Sequence, residues 1–328
     1  MTSSVHREAT FDIMKGIGIV LVITCHFFGW NHLFLSHVIN SFHMPMFFIV
    51  AGYFSKPHID SLADRNNIKK YIRRLLPAFV FTQLLIVCWG VLMAVVGKGA
   101  WDGVITDFFS LFWADPFGPT TPWGKLSIGV IWFLLALLVA KILLIPLSRT
   151  GKWAIPISLV LGYCAVLLYR VWPYSLFCIS LGLTALPFVT LGWWFKNHSI
   201  PNWLKIASVI GWVFALCFSR LVMYDVEWGC YPLDFLAACG GTYCLYVFSK
   251  GIDRYAKSFG KLLAVLGLWS LAIMCVHCFE MASHLGNHVM GLTPFDYPGW
   301  AKYTVRYIVT IALAAAFYHL PLTKKIFS

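Results

Sequence analysis

Apolar runs of about 20 residues recur along the whole chain and limit its fold more than any other feature. Most of these runs end at a Lys/Arg cluster or at Pro and Gly residues. Hydrophobic residues make up 60% of the 328 residues, charged residues 12%, and the mean hydropathy is +0.77. Because a soluble domain of this size cannot bury so much apolar surface, the runs are predicted to cross a membrane. The predicted fold class is an all-α polytopic membrane protein.

About ten transmembrane helices are predicted, and we expect residues 1–328 to form one transmembrane domain with no appended soluble domain. The predicted spans are 13–34, 41–56, 75–97, 128–148, 154–170, 175–195, 205–222, 233–249, 262–280 and 303–320.

Positive charges divide unequally between the two sets of connections that ten spans create. Eighteen Lys and Arg residues lie on the set that includes both termini, and six lie on the other set. The positive-inside rule therefore predicts that both termini are cytoplasmic. The formal net charge of +12 is then mainly a consequence of topology. No loop combines basic clusters with stacking aromatic residues, so we expect no nucleic-acid partner.

The first run is predicted to be a retained helix, because it lacks a small-residue cleavage site and its flank includes Glu8 and Asp12. The segment around Cys275, His277 and Cys278 has no further ligand converging locally, so no metal is predicted.

An ionisable ring lies in the middle of the first run, FDIMKGIGIVLVITCHFFGW (Phe11–Trp30), where His26 follows Lys15 with ten residues between them. The helical rise places His26 about 16 Å deeper than Lys15, near the centre of a hydrocarbon core about 30 Å thick. A neutral imidazole is a good base near neutral pH, and ionisable groups in membranes are functional candidates. An interhelical hydrogen bond is the alternative role, and the run alone leaves both open.

The next run, SFHMPMFFIVAGYF (Ser41–Phe54), carries a second histidine, His43. Pro45 interrupts its helical pattern and Gly52 allows a close helix approach, so a kinked or broken helix is predicted.

A basic cluster follows in NNIKKYIRRLLPAF (Asn66–Phe79), where Lys70, Arg73 and Arg74 share one helix face. The cluster is either an anchor that follows the positive-inside rule or, together with Lys15, a clamp for phosphate groups.

These segments resemble the signature series of the acyltransferase 3 family, integral-membrane enzymes that acylate hydroxyls of extracytoplasmic glycans. The family's basic residue and histidine, with ten residues between them in the first helix, match Lys15 and His26. Its R-x-x-R element matches Lys70-Tyr-Ile-Arg73. Both positions have Lys where Arg is commoner, and Lys neutralises a phosphate as a point charge rather than as a fork. Further matching segments are IWFLLALL (Ile131–Leu138), ALPFVTLGWWF (Ala185–Phe195) and LGLWSLAIMCVH (Leu266–His277).

The resemblance implies a membrane O-acyltransferase with no permanent cofactor, which takes an acyl group from cytoplasmic acyl-CoA, most commonly acetyl-CoA. It implies that His26 is the general base, while Asp12 sets the geometry of the basic cluster by pairing with Lys15 or Arg74. The residues implied to bind the CoA phosphates are Lys15, Lys70, Arg73 and Arg74. The residues assigned to substrate binding are His43, Trp132, His277 and Glu280.

The implied acceptor is a hydroxyl of a polysaccharide or lipid-linked saccharide that arrives from the outer side. The implied location is the inner membrane of a bacterium, among membrane lipids. The oligomeric state is left open, and a homo-oligomer is one option.

Three other functions remain open at this point. A transporter of a sugar or glycan precursor would share broken helices and histidines at membrane depth, although no repeat relates residues 1–165 to 166–328. Bis-histidine haem ligation by His26 and His277 would give a Soret band. A structural subunit of a glycan-export assembly would not require the pairing of basic residues with a histidine.

Overall fold

The structure, a computed structural model, describes residues 9–27, 33–57, 61–292 and 298–327, and it is mostly helical. Its helices are α1 (Ala9–Phe27), α2 (Leu33–Asn40), α3 (His43–Tyr53), α4 (Ser61–Val95), α5 (Trp101–Trp113), α6 (Trp132–Ser148), α7 (Ala154–Val171), α8 (Ile179–Phe195), α9 (Asn202–Phe218), α10 (Tyr231–Tyr255), α11 (Lys257–Leu268), α12 (Ser270–Ser283), α13 (Leu285–Met290), α14 (Gly299–His319) and α15 (Pro321–Phe327). Two short antiparallel pairs complete it, β1 (Thr120–Thr121) with β2 (Gly124–Lys125) and β3 (Leu221–Val222) with β4 (Glu227–Trp228).

Six helical segments of the described residues are long and apolar enough to cross a membrane, and a bent helix pair brings the number to seven. The six segments are Ala9–His26, Phe34–Tyr53, Arg65–Val95, Gly129–Ser148, Gly151–Val171 and Leu176–Phe195. The predicted all-α membrane fold is confirmed, whereas the number of ten spans and the cytoplasmic termini stay predictions.

The predicted span 262–280 covers parts of two helices, because α11 and α12 meet at an angle of 65° at Trp269. α11 is held against α1 by direct backbone packing, since a Cβ at Gly267 would overlap the carbonyl of Asp12. α12 instead packs against α4 and α14. The two helices follow different neighbours, and this difference explains the bend.

The boundaries predicted at the start of the chain also need correction. The described part of the first span ends at Phe27, and residues 28–32 of the predicted span 13–34 lie outside the described residues. The third span, predicted at 75–97, belongs to a helix that begins at Ser61. The basic cluster is therefore part of α4 and does not lie in a connection before it.

The break predicted near Pro45 occurs at Ser41 and Phe42, between α2 and α3. The Ser41 hydroxyl donates to the Val38 carbonyl at 2.6 Å and accepts from the Trp212 indole N–H at 2.8 Å. Pro45 lies in the first turn of α3, where its missing N–H costs little. The close approach predicted at Gly52 is confirmed, since a Cβ there would overlap the backbone of Val189 on α8.

The bundle has two ends that carry different residues. The start of α1 lies beside the end of α3, where the rings of Phe11 and Tyr53 are 4.6 Å apart. The other end of α1 carries His26, beside His43 at the start of α3 and Trp132 at the start of α6. We call the first end, which includes Lys15, Lys70, Arg73 and Arg74, the basic end.

Candidate active site

A partly open cavity of about 240 Å³, which we call the chamber, lies at the opposite end of the bundle from the basic end. It brings together His26, His43 and Trp132, three of the predicted site residues. The residues that line it are Val22, His26, Asn40, His43, Met44, Pro116, Phe117, Ser127, Gly129, Val130, Trp132, Tyr224, Met274 and Met281. Ligand pockets for drug-sized molecules span ~300–1,000 Å³, so the chamber suits a small group such as an acetyl or part of one sugar ring.

His43 is held in a single tautomer by the break between α2 and α3. Its Nδ1 lies 2.8 Å from the Ile39 carbonyl oxygen, and the side chain is buried. A carbonyl oxygen only accepts hydrogen bonds, so Nδ1 carries the proton. In the neutral ring Nε2 then has the lone pair and can accept a hydrogen bond from a hydroxyl in the chamber.

The chamber has a neutral polar lining with apolar walls. Among the described residues no Lys, Arg, Asp or Glu lines it, and the polar groups include the Asn40 amide and the Ser127 hydroxyl. Tyr224 adds a phenol, because burial first and the charge of Asp225 second raise its pKa, so it stays protonated. These groups match the donors and acceptors of an uncharged hydroxylated ligand.

Trp132 lines the chamber and also packs into the core. Its side chain is buried, and its ring lies 6.3 Å from that of Phe48 and 6.4 Å from that of Phe133. The packing role and the predicted contact with substrate are therefore compatible.

His277 lies behind His26 rather than on the chamber wall. The two rings are 5.3 Å apart, with 43° between their planes, and His277 is fully buried on α12. A buried ring in contact with His26 can fix the orientation of that imidazole. His277 is not among the residues that line the chamber, and its predicted role in substrate binding stays a prediction.

Glu280, one turn after His277, is bound by Arg306 of α14. Arg306 donates from Nε at 2.7 Å and from a terminal nitrogen at 2.8 Å to the two carboxylate oxygens. Glu280 is completely buried and the Arg306 side chain is 15% exposed. This bidentate ion pair connects α12 to α14 and holds in place the segment of α12 that carries His277. The predicted role of Glu280 in acceptor binding stays a prediction, because its carboxylate does not line the chamber.

At the basic end, Lys15 and Asp12 form an ion pair with an Nζ–Oδ1 distance of 2.7 Å. Of the two partners predicted for Asp12, the structure shows Lys15. The Lys15 side chain is 24% exposed, so its ammonium can still reach a ligand at the membrane surface.

Lys70, Arg73 and Arg74 are exposed on α4. Their spacing on a continuous helix puts them on one face, as predicted. The structure shows no hydrogen bond or ion pair among the described residues that joins these three to Lys15. Convergence of the four cations on one phosphate group therefore stays a prediction.

Buried apolar side chains separate the chamber from the basic end. On α1 these are Ile19 and Ile23, and on α3 Met46 fills the space beside Gly18. Each of the three side chains is at most 1% exposed. A direct route along α1 between ligands at the two ends would pass these side chains.

Sequence reasoning missed several residues of the two ends. Asn40 and Tyr224 reach the chamber only through the fold, and no local pattern marks them. Arg306 is 26 residues from its partner Glu280, so no local pattern pairs the two. Lys141 was detectable, because it lies well inside the predicted span 128–148, where a charge is costly.

A mostly helical bundle whose apolar helices are long enough to cross a membrane is the architecture of a multi-pass membrane protein. Two imidazoles share one cavity in it. A comparison with protein-family models matches residues 8–319 to an acyltransferase domain. The chain belongs to the acyltransferase 3 family, and it is an acyltransferase. No curated protein and no solved structure matches the chain significantly.

Proposed function

We propose that this membrane acyltransferase moves an acyl group, acetyl by preference, from cytoplasmic acyl-CoA to a hydroxyl of an extracytoplasmic glycan or lipid-linked saccharide. The observation that carries the proposal is the chamber, which exposes His26 and His43 to one space at the end opposite the cations. The reaction would take place in the inner membrane of a bacterium.

The donor would bind at the basic end through its phosphate groups. Lys15, Arg73 and Arg74 supply cations there, and two of them are guanidinium groups that can bind phosphate oxygens through parallel hydrogen bonds. From this end the pantetheine arm would extend along α1 towards His26. It would displace the Met46 side chain, and Met is unbranched and adapts readily to new neighbours.

The acceptor hydroxyl would enter the chamber and donate its hydrogen bond to an imidazole. In the proposed step His26 accepts the hydroxyl proton while the oxygen attacks the thioester carbonyl carbon. The tetrahedral intermediate then expels the CoA thiolate, which takes the proton back from the His26 imidazolium. The net result is one ester and one free thiol, with no proton gained or lost. Nε2 of His43 is suited to hold a second hydroxyl of the same acceptor.

Two effects would contribute most to the rate. A general base typically contributes 10²–10⁴-fold. Holding thioester and hydroxyl together in one chamber would contribute through their orientation. The buried ring of His277, at 5.3 Å from His26, would keep the base in position.

The direct test is acyl transfer by the purified protein in lipid nanodiscs, with acetyl-CoA labelled in the acetyl group. We expect label to move to a saccharide acceptor in the wild type and free CoA to appear in equal amount. The variant His26→Ala should lose transfer while it still purifies as a folded protein. Activity comparable to that of the wild type would show that His26 is not the base.

The same preparation separates the enzyme from a carrier. Reconstituted vesicles loaded with labelled saccharide should release none of it in a time that gives many turnovers of acetyl-CoA. Saccharide flux without CoA release would instead favour transport.

A further inference from the structure

Lys141 is a lysine within a membrane span whose charge the proposed mechanism has not used. It lies on α6, within the candidate span Gly129–Ser148, and its side chain is partly buried. The other 24 of the 25 Lys and Arg residues lie on connections or near the ends of predicted spans. A charge held inside a membrane helix is costly unless a partner compensates it.

Aromatic packing holds the ammonium of Lys141 in place without neutralising it. Its Nζ lies 4.8 Å from the centre of the Tyr71 ring on α4. Tyr71 is buried, and Ser55, just after α3, lies close to its hydroxyl. An ammonium has three N–H donors, and one aromatic face can interact with at most one of them.

The charged neighbours of Lys141 repel it. Lys70 and Arg74 are close enough to act on its charge. Among the described residues no carboxylate forms a salt bridge with any of these three cations. An anion from outside the chain would stabilise three positive charges that share no acidic side chain among the described residues.

We propose that Lys141, with Lys70 and Arg74, forms the innermost phosphate subsite of this protein and binds the CoA phosphate nearest to the pantetheine arm. This assignment rests on the proposed function. Among the three, Lys141 lies deepest, since it is nine residues from the chamber residue Trp132, about 13 Å along α6. The phosphate that it binds is therefore the one closest to the thioester.

A phosphate group can also come from a membrane lipid, and the chemistry of the subsite is the same for both sources. The depth of Lys141 and its position between α4 and α6 favour CoA, whose arm continues towards the chamber, whereas a lipid phosphate lies at the level of the headgroups.

The test compares donors with and without a phosphate group. In Lys141→Met, the KM for acetyl-CoA should rise roughly 10- to 100-fold, which is the effect of one lost charge-assisted hydrogen bond. The KM for acetyl-pantetheine, which has no phosphate, should be the same in variant and wild type. Lys141→Arg should keep most of the affinity for acetyl-CoA. The matched control is Lys257→Met, which removes an exposed charge from α11 and should change neither KM.

Turnover of acetyl-pantetheine also reports folding, and Lys141→Gln is a second neutral variant should the methionine variant fail to fold. An unchanged KM for acetyl-CoA in a folded neutral variant overturns the proposal. Failure of the proposed function looks different, because the wild type would then turn over neither donor. In that case CoA itself is the probe, and it should raise the unfolding temperature of the wild type but not of Lys141→Met.

Nanodiscs of neutral phosphatidylcholine and of anionic phosphatidylglycerol distinguish the two sources. If the phosphate belongs to a lipid, phosphatidylglycerol alone should raise the unfolding temperature of the wild type but not of Lys141→Met, and CoA should add nothing. If CoA and phosphatidylglycerol each change the unfolding temperature of the wild type and of Lys141→Met equally, Lys141 binds neither a CoA phosphate nor a lipid phosphate.

Discussion

At the basic end, Lys70, Arg73 and Arg74 are exposed, whereas in the chamber His43 is buried and its Nδ1 proton is bound by a backbone carbonyl. The basic end carries net charge and little internal hydrogen bonding. The chamber lining carries polar groups without a Lys, Arg, Asp or Glu among the described residues. Water hydrates exposed cations at little cost, while a buried polar group must find its partner inside the protein. The first arrangement suits a ligand with many charges, and the second suits a neutral ligand with hydroxyl groups.

The largest difference between the two ends should appear in catalysis. His26→Ala is expected to lower kcat by 10²–10⁴-fold, because it removes the base, with little change in the KM for acyl-CoA. His43→Ala should act mainly on the acceptor, with a rise in its KM of roughly tenfold from one lost hydrogen bond. Steady-state kinetics with both substrates varied checks this. Equal losses of kcat in the two variants would mean that the roles of the two rings are not separate.

The buried ion pair between Glu280 and Arg306 should contribute more to stability than an exposed ion pair. Glu280→Gln leaves Arg306 uncompensated and is expected to lower the free energy of unfolding by ~3–5 kcal/mol. The matched control is Glu227→Gln, because Glu227 pairs with Arg220 at 3.7 Å with both side chains well exposed, and a loss of at most ~1 kcal/mol is expected. Unfolding in detergent, followed by circular dichroism, measures both. If Glu227→Gln is as unstable as Glu280→Gln, the buried ion pair does not contribute more to stability than the exposed one.

The exposed arginines should affect affinity and leave stability unchanged. Arg73→Ala and Arg74→Ala are each expected to raise the KM for acyl-CoA by the equivalent of ~1.5–3 kcal/mol, with kcat retained. Lys257→Ala, on the exposed surface of α11, serves as the control. If KM stays constant in both arginine variants, the cluster only orients the chain in the membrane.

The smallest effect concerns a carboxyl group on α5, which lies outside the candidate spans. Burial raises the pKa of Asp107 on α5 from its ordinary value of 3.8 to about 6. The folded protein thus binds this proton more tightly than the unfolded chain does. The contribution to stability is present below pH 4 and is lost as the pH rises through about 6.

Asp107→Asn should abolish this loss, so that near neutral pH it stabilises the protein by on the order of 1 kcal/mol, after allowance for partial solvent screening. Unfolding temperatures between pH 4 and pH 8 measure the difference, with the exposed Asp102→Asn as the control. A wild type whose stability does not change over this range relative to the variant would contradict the shift.

The sequence predicted the helices better than their ends and breaks. Length and apolar content identified the spans that correspond to α6, α7 and α8 within a few residues. An uninterrupted apolar run in a membrane must be helical, because only a helix satisfies all its backbone hydrogen bonds within the segment. The bend at Trp269 could not be predicted, since it depends on which helices α11 and α12 pack against. The early start of α4 was missed because its first turns are polar and resemble a connection.

In the candidate site too, residues with a local sequence signal could be predicted, and residues that meet only through the fold could not. His26 and His43 stand out locally, as ionisable rings in apolar runs, and the fold does bring them into one chamber. Glu280 also stands out, yet its partner Arg306 is 26 residues away, and only the packing of α12 on α14 reveals it. Tyr224 carries no local signal, because an aromatic residue near a membrane surface is ordinary.

The first helix has a consequence for which donors can react. Lys15 and His26 belong to one helix, α1, so a fixed length of backbone, about 16 Å, separates them. For the proposed reaction, a thioester anchored by its phosphates at the start of α1 reaches the imidazole only if its arm covers that length. Acyl-CoA analogues with a shortened pantetheine arm should then bind as competitive inhibitors without turnover. The length of α1 would thus select donors by the length of their arm, whatever acyl group they carry.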